Sequence, residues 1–121
     1  MNKRTTGKNI EDYAEELLKK KGYEILERNF HFSTEGEVDI IAEDKEKNQL
    51  VFVEVKGRRS TSHGYPEESI SMKKMNQIKK VSEYYLYKND ISNKDCRYDV
   101  ITILKIDDKR MEVKHLIDAF Y

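Results

Sequence analysis

Residues 50–56 read Leu50-Val51-Phe52-Val53-Glu54-Val55-Lys56. β-Branched and aromatic residues dominate, which suits a pleated, covered strand. Side chains alternate along a strand, so Val51, Val53 and Val55 point to one face and Phe52, Glu54 and Lys56 to the other. The first half is apolar on both faces, the mark of a central strand with layers packed on either side. The second half is different. Glu54 and Lys56 bring two charges to the carboxyl end of the strand, where open α/β sheets place their ligands.

The flanking sequence supplies the rest of the sheet. Glu37 to Glu43 reads as a strand running into a charged turn, Glu43 to Asn48, and so pairs antiparallel with residues 50–56. A hairpin centred near Glu46 sets Asp39 opposite Val53 or Glu54. Tyr23 to Asn29 reads as a further strand, with a turn at Ser33 to Gly36. Upstream, Ile10, Tyr13, Ala14, Leu17 and Leu18 recur at helical spacing, predicting a helix over Lys8 to Lys21. Thr5 or Thr6 is the expected cap, and Gly22 the stop after three lysines. Downstream, Gly57 to Pro66 reads as a loop holding the only proline. A second helix follows from Ser69 or Ser71 to about Tyr87, with Met72, Met75, Ile78, Val81, Ser82 and Tyr85 on its core side. Tyr98 to Ile106 and Met111 to Ile117 close the chain as two strands. The order α-β-β-β-α-β-β predicts a mixed sheet flanked by helices, with the second helix crossing to a parallel neighbour.

The chain has 121 residues, which suits a single domain over residues 1–121. Lysine plus arginine balance aspartate plus glutamate at 23 each, which excludes a polybasic tail protein. Any contact with nucleic acid must use a local patch. A single cysteine, Cys96, cannot form an internal disulfide or a cysteine-rich zinc site. No apolar stretch approaches the roughly 18 residues needed to span a bilayer. The polar, basic residues Met1 to Lys8 do not resemble a secretory signal. No membrane association and a cytoplasmic location are expected. Phosphate-loop, nucleophile-elbow and zinc-protease motifs are absent from the sequence.

If Asp39 lies opposite Glu54, two carboxylates and Lys56 converge. Neighbouring carboxylates repel, so a shared proton, a bound cation or the lysine must offset them. Mg²⁺ suits such a site because it binds through one or two carboxylates and keeps several waters. A cation there activates water and neutralises charge on a phosphodiester. The plain alternative is an ion-pair ladder across two strands.

Asp39 followed fifteen positions later by Glu54-Val55-Lys56 resembles the D…E-x-K core of the restriction-endonuclease-like nucleases. Gly36-Glu37-Val38-Asp39-Ile40-Ile41-Ala42 with Phe52-Val53-Glu54-Val55-Lys56-Gly57-Arg58 is similar to the paired blocks of the YraN-type family of bacterial proteins. Gly7 and Glu11, Gly22-Tyr23, Arg28-Asn29, Pro66-Glu67, Lys73 and Arg97-Tyr98-Asp99 extend the likeness over nearly the whole chain. Archaeal Holliday-junction resolvases are similar in element order and core motif. The resemblance implies a restriction-endonuclease-like α/β fold and a Mg²⁺-dependent endonuclease, with Mn²⁺ as a substitute, acting on branched or structured DNA. It implies that Asp39 and Glu54 are metal ligands, Lys56 catalytic and Glu11 an auxiliary acid. Glu37 lies nearer the start of its strand than Asp39 and reads as structural.

Between Gly57 and Lys80, six basic residues face two acidic ones. Arg58, Arg59, Lys73, Lys74 and Lys80 are the candidate nucleic-acid contacts, directed at the phosphate backbone and not at bases. Two other readings stay open: a non-catalytic nucleic-acid-binding module, and a protein-interaction subunit that keeps the nuclease fold. A recombination or replication protein would be the partner. A homodimer would match a two-fold junction, and the resembling resolvases are dimers. Gln77 is an additional polar candidate. Asp99, on the same strand face as Arg97, reads as a structural ion-pair partner. His31, His63 and His115 read as surface residues.

Overall fold

A computed structural model describes residues 9–58 and 70–120, apart from the side chain of Arg58. The elements are α1 (Ile10–Lys20), β1 (Glu24–Phe32), β2 (Gly36–Asp44), β3 (Gln49–Arg58), α2 (Met72–Lys88), β4 (Asp95–Lys105) and β5 (Met111–Phe120). They form one mixed five-stranded sheet in the order β1-β2-β3-β4-β5. β3 and β4 are parallel, and the other three pairings are antiparallel. The α-β-β-β-α-β-β order and the mixed sheet match the sequence reading, and β3 is the central strand.

The two faces of β3 feed two cores. Val51, Val53 and Val55 pack with Ala14 and Leu18 of α1 and with Ile40, Ile101 and Ile103. Phe52 packs on the other face with Ile78, Val81 and Tyr85 of α2. Burial on both faces explains why residues 50–53 of this strand are all apolar. Deleting a fully buried aromatic such as Phe52 would cost about 3–5 kcal/mol.

Four local expectations change. Gly57 and Arg58 continue β3 instead of opening a loop, and the rest of that expected loop, residues 59–66, lies outside the described residues. Asn9, not Thr5 or Thr6, caps α1, because its side chain accepts the Asp12 N–H while Asp12 accepts the Asn9 N–H, a reciprocal pair that fixes the first turn. Met72 is 71% exposed instead of facing the core, because it opens α2 just after the Ser71 cap. His115 is no surface residue. Its ring is 2% exposed and lies 2.7 Å from Asp99 Oδ2. Gly22 ends α1 as expected, with φ +91° and its N–H bonded to the Lys19 carbonyl.

That histidine joins a buried polar network towards the amino-terminal end of β3. Arg97 donates to both Asp99 oxygens, to Asp44, to Gln49 and to the Tyr23 hydroxyl. The guanidinium is satisfied on all sides, which offsets the cost of burying it. Burial alone would raise the Asp99 pKa, but hydrogen bonds from His115 and Arg97 more than reverse this. The Arg97–Asp99 pairing is as the sequence suggested, and it ties β2, β4 and β5 together.

One break in the strand alternation lies next to Asp39. Arg28 and Phe30 are two residues apart and should share a face. Arg28 instead reaches Glu11 and Glu15 of α1, while Phe30 joins the α2 core. Asn29 between them has φ +51°. Across the ladder, Ile40 pairs with Arg28 and Val38 with Phe30. They too belong to opposite cores. The kink therefore runs through both strands, with Asp39 at its level in β2.

Candidate active site

The pairing of β2 with β3 runs from Asp44↔Gln49 to Ile40↔Val53. Continuing that register by one step places Asp39 level with Glu54. There the side chain takes over from the ladder: Asp39 Oδ2 accepts the Val55 N–H at 2.8 Å. The strands fork at this point, with α1 on one side and α2 on the other.

Asp39 is 8% exposed and the Glu54 side chain 5%. Burial, then the Glu54 charge, pushes the Asp39 carboxyl up to about 8, while the Val55 N–H acts in the opposite direction. Burial also raises Glu54, opposed by the Lys74 ammonium, by a hydrogen bond with Asp39 and by Lys56. Both shifts favour the protonated form, so the pair resists carrying two charges. One atom remains unused. Glu54 Oε1 is buried with no hydrogen-bond partner among the described residues. A buried carboxylate oxygen without a donor is costly, and a hard cation is the group that such an oxygen suits.

Two further acids reach the fork. Carboxylate oxygens of Glu11, Glu37 and Asp39 lie within 4.8 Å of one another. Glu11 arrives from the first turn of α1, the turn fixed by the Asn9 cap. Asn29 Nδ2 donates to Glu11 at 3.0 Å and to Glu37 at 3.3 Å, so the residue that kinks β1 also holds these acids together. His31 Nε2 lies 2.7 Å from Glu37. Glu37, read from sequence as structural, stands within the acidic cluster. Its place two residues from Asp39 was the available signal. Carboxylates so close, with a buried neighbour short of a donor, fit a divalent cation.

Lys56 is half-buried and acts on the Glu54 charge. The basic residues disperse. Lys74, expected as a nucleic-acid contact, points inward with Nζ 3.8 Å from Glu54 Oε2. Lys80 pairs with Glu35 at 3.6 Å, and Lys73 is exposed. Gln77 packs against Gly36, beside Glu37. Tyr84 stacks on Phe32 with ring centroids 4.1 Å apart. The side chain of Arg58 and all of Arg59 lie outside the described residues, as does His63.

Fold and site define a three-layer α/β protein with a buried carboxylate pair at a strand fork. The chain belongs to the family described as Uncharacterised protein family UPF0102, whose profile matches residues 10–103. It is 47% identical over 115 residues to a UPF0102 protein of Persephonella marina, covering 95% of each chain. A UPF0102 protein of Caldicellulosiruptor saccharolyticus is 46% identical over 121 residues, covering 99% of this chain and all of the relative. One from Natranaerobius thermophilus is 40% identical over the same length. No described helix is long and apolar enough to cross a membrane.

Proposed function

We propose that this protein is a restriction-endonuclease-like, Mg²⁺-dependent nuclease that hydrolyses phosphodiester bonds in DNA, with branched or structured DNA as its substrate. The observation that carries the reading is the buried Asp39–Glu54 pair, short of one partner at Glu54 Oε1, beside Lys56 at the carboxyl end of β3.

Mg²⁺, when bound, supplies charge neutralisation on the scissile phosphate and a more acidic water. Asp39 and Glu54 are the residues that would hold it. The Val55 N–H keeps Asp39 oriented towards the fork. Lys56, on the same strand face as Glu54, orients the attacking water and offsets charge on the pentavalent phosphorus. Glu11 and Glu37 accept hydrogen bonds from water near the cluster. Lys73 and Lys80, on the first half of α2, contact flanking phosphates and carry no base specificity.

The test is cleavage of four-way junctions, flaps, linear duplex and single strands by the purified protein, with Mg²⁺, with Mn²⁺ and with chelator. Metal-dependent cutting is expected, reduced about 100-fold or more by Asp39→Ala, Glu54→Ala or Lys56→Ala. Unchanged activity in these variants would reject the assignment. Salt-dependent DNA binding without cleavage would instead support a non-catalytic binding module.

A further inference from the structure

Lys74 has no role in the nuclease reading beyond a general basic charge, yet its position is specific. It lies in the first turn of α2, where Ser71 Oγ accepts its N–H at 3.1 Å. The Ser71 cap fixes that turn and so fixes where the lysine stem leaves the helix. The stem crosses to the sheet and sets the ammonium 3.8 Å from Glu54 Oε2. Glu54 Oε1 has no hydrogen-bond partner among the described residues, and Lys74 affects the Glu54 charge more than Lys56 does, although Lys56 is on the same strand. Lys74 is 35% exposed, so its ammonium also has access to solvent.

We infer that Lys74 is the counter-cation of Glu54, in competition with a divalent ion for that carboxylate and displaced by it towards the phosphate of the substrate. This rests on the nuclease reading and adds how the site is regulated. An ammonium and a divalent ion on one carboxylate repel each other, so both do not occupy Glu54 at full strength. The lysine keeps the buried carboxylate pair from standing uncompensated in the free protein. It also sets a threshold against metal binding. Once released, the same side chain gains a phosphate ligand, which makes metal and substrate binding mutually favourable. Lys74 is thus a positioning residue whose two partners are alternatives.

Calorimetric titration of Mg²⁺ into the full chain tests this. At pH 9, proton competition at the carboxylates is small. Lys74→Met is expected to bind Mg²⁺ roughly 3- to 10-fold more tightly than wild type, since a partly exposed competing charge has been removed. Lys74→Arg, which keeps the charge, is expected to stay within about two-fold of wild type. Equal or weaker Mg²⁺ affinity in Lys74→Met, beside normal wild-type binding, overturns the counter-cation role alone. Absence of Mg²⁺ binding by the wild type overturns it together with the nuclease reading.

Discussion

The carboxylate pair should write its signature into the pH dependence of folding. Asp39 is pushed up to about 8 in the folded protein by burial and by Glu54, against about 3.9 in an unfolded chain. Between those values the folded protein holds a proton that the unfolded chain has released. Stability therefore falls as pH rises from about 4 to about 8, and levels off above that. At about 1.4 kcal/mol per unit, the largest loss is roughly 6 kcal/mol. Asp39 and Glu54 titrate together and the surroundings relax, so about 2–4 kcal/mol is the working expectation. Asp39→Asn carries no titrating proton and still presents a carbonyl oxygen to the Val55 N–H. It should lose this slope and exceed wild type in stability at pH 8.5. The assay is urea unfolding across pH 5–9 in chelator, analysed as the difference between the two proteins. That difference cancels groups common to both, such as Asp44 and Asp99, whose lowered pKa values act at more acidic pH. Mg²⁺ should stabilise wild type increasingly as pH rises and leave Asp39→Asn almost unaffected. Parallel pH profiles for the two proteins in chelator would refute the raised Asp39 pKa.

Three more outcomes are expected. Arg97→Met leaves Asp99 and Asp44 buried without their main cation and should destabilise the protein by about 3–5 kcal/mol in urea unfolding, without changing Mg²⁺ affinity. Asn29→Val puts a β-branched residue at φ +51° and breaks the bridge between Glu11 and Glu37. A loss of about 2 kcal/mol is expected, against less than about 1 for Asn29→Gly, which keeps the backbone relaxed. Removing the Lys73 or Lys80 charge should lower the slope of log affinity against log salt for a DNA duplex by about 1 each, read by fluorescence anisotropy. An unchanged slope would take α2 off the DNA-binding surface.

The sequence by itself determined the element order and the central strand. Both follow from short-range rules: the period-2 pattern of residues 50–56, the helical stripe from Ile10 to Leu18, and a charged turn that admits an antiparallel partner. It narrowed the partner of Asp39 to Val53 or Glu54, because a short hairpin fixes register within one residue, and the observed register selects Glu54. It could not show how the side chains would be shared out around the fork. Strict alternation fails at Asn29, where one left-handed residue turns Arg28 to α1 and Phe30 to α2, and asparagine pays little for that conformation. The joining of Glu37 to Glu11 depends on that kink and on Asn29 reaching both. Lys74 read as a nucleic-acid contact because helical periodicity places a Cα, not the end of a four-carbon stem. Only the packing of α2 on the sheet put its ammonium on Glu54. His115 likewise was one polar residue on an edge strand until Asp99 and Lys21 closed on it from β4 and the end of α1. Local periodicity is written in consecutive residues. The partners of a charge come from wherever the fold brings them, and that choice belongs to the tertiary structure.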